Sequence, residues 1–119
     1  MDIESFREYC LRKKGTEESF PFDADTLVFK VMGKIYALAA LDKIPHRVNL
    51  KADPDTCISW RAEYPGLVIP GYHMNKTHWN TIYIEDGLDD SFIRNCIDHS
   101  YKLVVGTLPK KDKSMLENL

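Results

Sequence analysis

The sequence predicts an α+β domain in two layers: an antiparallel sheet of about five strands, with helices on one face, in the order α-β-β-β-α-β-β-α. Three observations predict it. Gly33 separates two strand-like runs, TLVFKVM and KIYALAAL, as a hairpin turn does. The run HRVNLKA alternates cleanly, Val48 and Leu50 against Arg47, Asn49 and Lys51, the period of a strand with one buried side. At both ends of the chain apolar residues recur at helical spacing. Strands joined by short connections pair antiparallel, and helices interspersed with them cover one side of the sheet.

The elements follow in order. Asp2 can cap a first helix whose apolar stripe is Ile3, Phe6, Cys10 and Leu11, ended by Gly15 after three basic residues. TEESFPFDAD reads as a polar connection pinned to the core by Phe20 and Phe22. The hairpin around Gly33 and the alternating strand come next. Asp53 followed by Pro54 starts a second helix, with Cys57 and Trp60 on its buried side, broken at Pro65-Gly66. LVIPGYHM and NTIYIE read as two further strands around an irregular NKTHW. Asp89 caps a long last helix carrying Phe92, Ile93, Cys96, Ile97 and Leu103, with Leu88 stapled to Ile93, and Gly106 ends it. The amphipathic tail LPKKDKSMLENL can form a short helix.

A chain of 119 residues fits one domain, residues 1–119. With 44% apolar and 29% charged residues, it can bury a core, which excludes a disordered chain. No run approaches the ~18 apolar residues of a membrane helix, and the acidic, mixed start MDIESFREYC is unlike a secretory leader. A cytoplasmic location without membrane contact is expected. Cys10, Cys57 and Cys96 are odd in number, far apart and placed in helices, so buried reduced thiols are expected rather than a disulfide or zinc site.

No nucleotide-loop, nucleophile-elbow or zinc-protease motif is present. His46, His73 and His78 are not spaced as ligands and have no clustered acid or cysteine partner, so neither metal nor cofactor is expected. No nucleophile–base pair can be named, and the expectation is a binding module rather than an enzyme.

Two features carry binding chemistry. Net charge is −2, yet from Lys30 to Lys51 five basic residues face one acid, Asp42. Strand parity puts Arg47, Asn49 and Lys51 on the open face of the sheet, with Lys30, Thr81 and Tyr83. Such a face suits nucleic acid. On this reading Lys30, Lys34, Arg47, Lys51 and Lys76 meet phosphates, while Trp79 or Tyr83 stacks. The second feature is the segment GYHMNKTHWN, rich in rings, imidazoles and amides. It offers an alternative pocket, His73, Asn75, Lys76, His78 and Trp79, for a protein or a small anionic ligand.

TLVFKVMGKIYAL, RVNLKADPD, YPGLVIPGYHMNKTHWNTI and SYKLVVGTLPKK, in this order and spacing, closely resemble the MmcQ/YjbR family of small bacterial proteins. The resemblance runs from FREYCLRKKG to the tail. It implies a frataxin/CyaY-like α+β fold and a proposed, weak DNA-binding role. Its double-wing arrangement would place the wings at the hairpins around Gly33 and Asn75–His78.

Overall fold

The turn at Met32-Gly33 sets the sheet's register. Both residues have positive φ, 49° and 80°, the two-residue hairpin geometry that matches strand twist and that glycine adopts without steric cost. In the computed structural model, which describes residues 1–119, β2 (Thr26–Val31) and β3 (Lys34–Ala40) therefore pair antiparallel from Val31↔Lys34 to Thr26↔Ala40. A bulge interrupts this ladder, since Phe29 opposes Ala37 and Lys30 opposes Ile35. Tyr36 is the extra residue, and its ring turns into the core. There its hydroxyl donates to the Cys10 carbonyl at 3.1 Å and shares a hydrogen bond of 2.9 Å with Thr16.

Four more strands complete one antiparallel sheet. They are β1 (Thr16–Ser19), β4 (Arg47–Lys51), β5 (Val68–Pro70) and β6 (Trp79–Tyr83), in the spatial order β1-β2-β3-β4-β6-β5. The helices are α1 (Ile3–Leu11), α2 (Pro54–Glu63), α3 (Asp90–Gly106) and α4 (Lys110–Glu117). The α+β order read from the sequence holds, with a sixth strand and a fourth helix. The sixth strand, β1, lies in the stretch read as a connection. TEES is polar on both faces because β1 is an edge strand, whose one strand neighbour is β2. Phe20 and Phe22, expected to pin that stretch to the core, are exposed instead.

The core lies between the helices and one face of the sheet. Leu27, Phe29 and Val31 of β2, Val48 and Leu50 of β4, and Ile82 of β6 meet Phe6 of α1 and Ile93, Ile97 and Val104 of α3. Phe6 and Phe29 pack edge to face, centroids 6.0 Å apart. Ser100 of α3 is fully buried because its hydroxyl bridges two strands: it accepts from the Lys51 N–H at 2.9 Å and donates to the Tyr36 carbonyl at 2.5 Å. Asp2 caps α1 through the Ser5 N–H at 2.7 Å. Asp53 and Asp89 precede α2 and α3 but make no side-chain cap bond. Asp53 faces His99 at 3.6 Å. Cys10, Cys57 and Cys96 are buried free thiols. Burial pushes Cys10 and Cys96 up to about 12, which leaves no thiolate at neutral pH. No helix is long and apolar enough to cross a membrane.

Edge strand β1 is tied to α1 by a forked pair, Arg7 Nη2 to Glu18 Oε1 at 2.5 Å and Nε to Oε2 at 2.8 Å. These hydrogen bonds hold the Glu18 carboxyl below its usual range. A depressed carboxylate pKa contributes stability that is complete above the unfolded value and lost as pH falls through the folded one. Glu18→Gln is therefore expected to lower stability at pH 7 but to narrow its gap from the parent as pH falls below about 4. Urea titrations at pH 7 and pH 3 measure this, and an equal gap at both would reject the assignment.

Candidate functional site

The side of the sheet away from the helices carries the side chains that parity predicts. Arg47, Asn49 and Lys51 of β4 sit opposite Tyr83, Thr81 and Trp79 of β6. Lys30 shares this face, with Glu17 directly across from it on β1. Lys34 pairs with the core residue Val31, which puts it on the other parity at the hairpin end. Lys76 lies in the β5–β6 loop, where its amine donates to the Gly71 carbonyl at 3.3 Å. The seven residues expected to bind nucleic acid thus divide: Lys30, Arg47, Lys51, Trp79 and Tyr83 share a face, and Lys34 and Lys76 stand apart.

A cleft of about 600 Å³ opens on this face, within the size range of small-molecule sites. Its floor is Thr26, Leu38, Ala40, Arg47 and Asn49, from three adjacent strands. Three loops wall it: Phe22, Asp23 and Asp25 before β2, Asp42 and Lys43 after β3, and Tyr72, His73 and Met74 after β5. Of the alternative pocket read from the sequence, only His73 lines the cleft. Asn75 instead organises the loop, its Oδ1 accepting from the Thr77 and His78 N–H groups at 2.8 and 3.3 Å.

The wall at Tyr72 is fixed by a closed ring of hydrogen bonds. The Tyr72 N–H donates to Thr81 Oγ1 at 2.9 Å, Thr81 Oγ1 donates to Asn49 Oδ1 at 2.5 Å, and Asn49 Nδ2 donates to the Tyr72 carbonyl at 3.3 Å. Asn49 is thus a positioning residue. The Tyr72 and His73 rings lie 4.1 Å apart, and His73 has φ +59°, uncommon for a residue with a Cβ.

Arg47 is held but not neutralised. Its Nε and Nη2 donate to the Pro45 carbonyl at 3.3 and 3.1 Å, its Nη1 reaches the Tyr83 hydroxyl at 3.4 Å, and its guanidinium lies 4.8 Å from the Tyr83 ring centroid. None of the chain's ion pairs includes it. Asp23, by contrast, is spent on its own turn. The N–H groups of Asp25 and Thr26 donate to it at 2.9 and 2.7 Å and hold its carboxyl below the usual range. No three His, Cys, Asp or Glu side chains converge as a metal-binding group.

The YjbR family model matches residues 11–103. The chain belongs to the YjbR family. It is 36% identical over 111 residues to the uncharacterized protein YbdF of Escherichia coli O157:H7, covering 92% of this chain and 89% of that one. Over 119 residues, the whole of both chains, it is 32% identical to the uncharacterized protein YjbR of Escherichia coli strain K12. The crystal structure of Deinococcus radiodurans protein DR2400 superposes with a TM-score of 0.90 at 33% identity, covering 97% of this chain and 87% of that one. A crystal structure from Pseudomonas syringae gives 0.75 at 30% identity, with 87% and 99% covered.

Within this YjbR chain, reading the sequence missed Phe22, Tyr72 and Met74 as cleft walls. It also missed Arg61 of α2, whose guanidinium anchors the β5–β6 loop: Nε donates to Asn80 Oδ1 at 2.6 Å, and Nη2 donates to the carbonyls of Lys76 and, at 3.2 Å, Trp79. An arginine on a solvated helix face carries no local signal of such a role. A second crevice, about 450 Å³ between α1 and the β1–β2 edge, has Arg7, Glu4 and Glu18 among its lining. These three already satisfy one another, so the open-face cleft is the stronger candidate.

Proposed function

We propose that this YjbR-family chain is a binding module that holds a small anionic organic ligand in the open-face cleft, anchored by Arg47. The observation carrying this reading is a guanidinium fixed by a carbonyl and an aromatic ring, free of carboxylate partners, in the floor of a cleft. Such a group is already oriented, so an incoming anion gains charge-assisted hydrogen bonds without first displacing an internal acid. Binding rather than catalysis is proposed because the cleft lining contains no cysteine or serine, the nucleophiles most readily activated by a neighbouring base.

The test is a titration panel of organic monocarboxylates and phosphate monoesters, read by melting temperature and by the NMR signals of Arg47 Nε and the Tyr72 and His73 amides. At least one compound is expected to saturate and to raise the melting temperature. Arg47→Ala should weaken it by roughly tenfold or more, the worth of a charged hydrogen bond. Arg47→Lys should recover little of the loss, because an ammonium lacks the planar fork. Equal binding by Arg47→Ala would overturn the assignment.

A second reading is DNA, supported by the shared face of Lys30, Arg47, Lys51, Trp79 and Tyr83. It ranks second because Glu17 and the cleft acids offset those cations, and phosphate binding depends on basic excess. Fluorescence anisotropy of labelled single-stranded and duplex DNA decides it. Saturable binding that weakens steeply with salt, and that Arg47→Glu with Lys51→Glu removes, would place DNA on this face. Binding unchanged by the charge reversals would reject it.

A further inference from the structure

We infer that the cleft's ligand is a monoanion carrying a flat aromatic ring, an inference that rests on Arg47 as the anion anchor. The floor supplies the first reason. Thr26, Ala40 and Arg47 lie in one row across β2, β3 and β4. Neighbouring strands are about 4.8 Å apart, so roughly 10 Å separates the outer two backbones. Ala40 between them raises only a methyl group, and Leu38 continues the apolar floor in the next row. The result is a shallow apolar slot with the guanidinium at one end.

The walls supply the second. Phe22 and Tyr72 flank the slot and are 65% and 64% exposed. Large rings left this open gain by being covered, and aromatic rings favour other rings in offset or edge-on geometry. Tyr72 is not a floppy surface ring, because the Asn49–Thr81 hydrogen bonds fix its backbone and the His73 ring lies 4.1 Å from its own. His73 keeps a left-handed backbone at this wall. Strained residues persist where the surroundings over-determine them, and they gather at ligand-contacting sites. A preorganised wall costs a ligand little ordering entropy.

Charge supplies the third. The cleft is lined by two basic groups, Arg47 and Lys43, and by three acids, Asp23, Asp25 and Asp42, so the site as a whole is not basic. One negative charge can be met at Arg47. Lys43 already stands 4.0 Å from Asp42, so a second negative charge finds no free cation in the lining and adds repulsion from its three carboxylates. Dianions and polyanions are disfavoured for that reason.

Four matched probes test this: 3-phenylpropionate, 3-cyclohexylpropionate, 3-phenylpropionamide and phenyl phosphate, each titrated into the parent protein, Arg47→Ala and Tyr72→Leu by NMR. The phenyl acid is expected to bind the parent roughly two- to tenfold more tightly than the cyclohexyl acid, and Tyr72→Leu should erase that preference. Phenyl phosphate should bind more weakly than the phenyl acid, and the uncharged amide about tenfold more weakly. Equal affinities for the two acids, both still needing Arg47, would overturn the aromatic inference and leave the anion reading standing. Tighter binding of phenyl phosphate would overturn the monoanion part alone. An amide that binds as well as the acid would overturn the anion reading itself. Failure of the phenyl acid to saturate at roughly 10 mM, beyond the millimolar affinities that such titrations read, would overturn both.

Discussion

Phe29→Ala is expected to destabilise the protein by about 3–5 kcal/mol, the cost of deleting a fully buried ring from a core that relaxes only in part. Domains of this kind are stable by only about 5–15 kcal/mol, so the substitution removes a large share of the total. Phe29 has no exposed surface and meets Phe6 edge to face at 74°. It also sits at the β2–β3 bulge, where the register changes between Phe29 and Lys30, so the surrounding strands cannot simply close over the gap. Urea unfolding measures the effect as a fall in midpoint at similar slope. Phe22→Ala is the matched control: its ring is largely exposed, and its stability should change by no more than about 0.5 kcal/mol. Equal losses at the two positions would contradict the placement of the core.

Sequence alone separates some of these phenylalanines and not others. Alternation within TLVFKV assigns Phe29 inward, since Leu27 and Val31 share its parity. For Phe20 and Phe22 hydrophobicity is the sole local guide, and it gives the wrong answer. Whether a ring beside an edge strand finds cover depends on what the rest of the chain brings to it. The same reasoning explains β1. Thr-Glu-Glu-Ser has neither strong strand propensity nor an apolar face, and its pairing exists because β2 presents a free edge ten residues later. Propensity is a local quantity and strand pairing is not. The turn at Gly33 and the period of Arg47-Val48-Asn49-Leu50-Lys51 were legible because a turn residue or an alternation specifies them within a few positions.

The candidate site divides along the same line. Arg47 was legible as an open-face cation, because parity within one strand is enough to place it. That it has no acid partner was not legible, since the cleft acids that could have neutralised it, Asp23, Asp25 and Asp42, come from two loops outside its strand. The Asn49–Thr81–Tyr72 ring needs β4 and β6 in register across thirty-two residues. Lys34 shows the opposite failure: it belongs to the basic stretch by sequence but lies on the other side of the hairpin by pairing. Linear charge density therefore overstated the basic face, and register corrects it.

Register also makes Arg61 the residue with the largest expected effect on the cleft from outside it. Asn80 is buried at 1% exposure, its Nδ2 donates to the Cys57 carbonyl at 3.4 Å, and its Oδ1 has Arg61 as donor. Arg61→Ala leaves that buried oxygen without its donor and frees the Lys76 carbonyl, while the Trp79 carbonyl keeps the Gly71 N–H at 2.9 Å. The expected cost is about 2–3 kcal/mol, the penalty for a buried polar group whose charged partner is removed. Lysine should restore less than half, because one ammonium cannot fork to acceptors on two sides of the loop. The local consequence distinguishes an anchor from a general loss of stability. Hydrogen exchange should speed up at Thr77, His78 and Trp79, whose N–H groups close the loop on Asn75. Amides of the β2–β3 ladder should change only as global stability does. Tyr72 and His73 belong to the same loop, so affinity for a cleft ligand should fall although Arg61 does not line the cleft. Uniform acceleration across the whole sheet would show instead that Arg61 supports the fold at large. A local change that leaves ligand affinity intact would show that the Asn49–Thr81 bonds alone hold the Tyr72 wall.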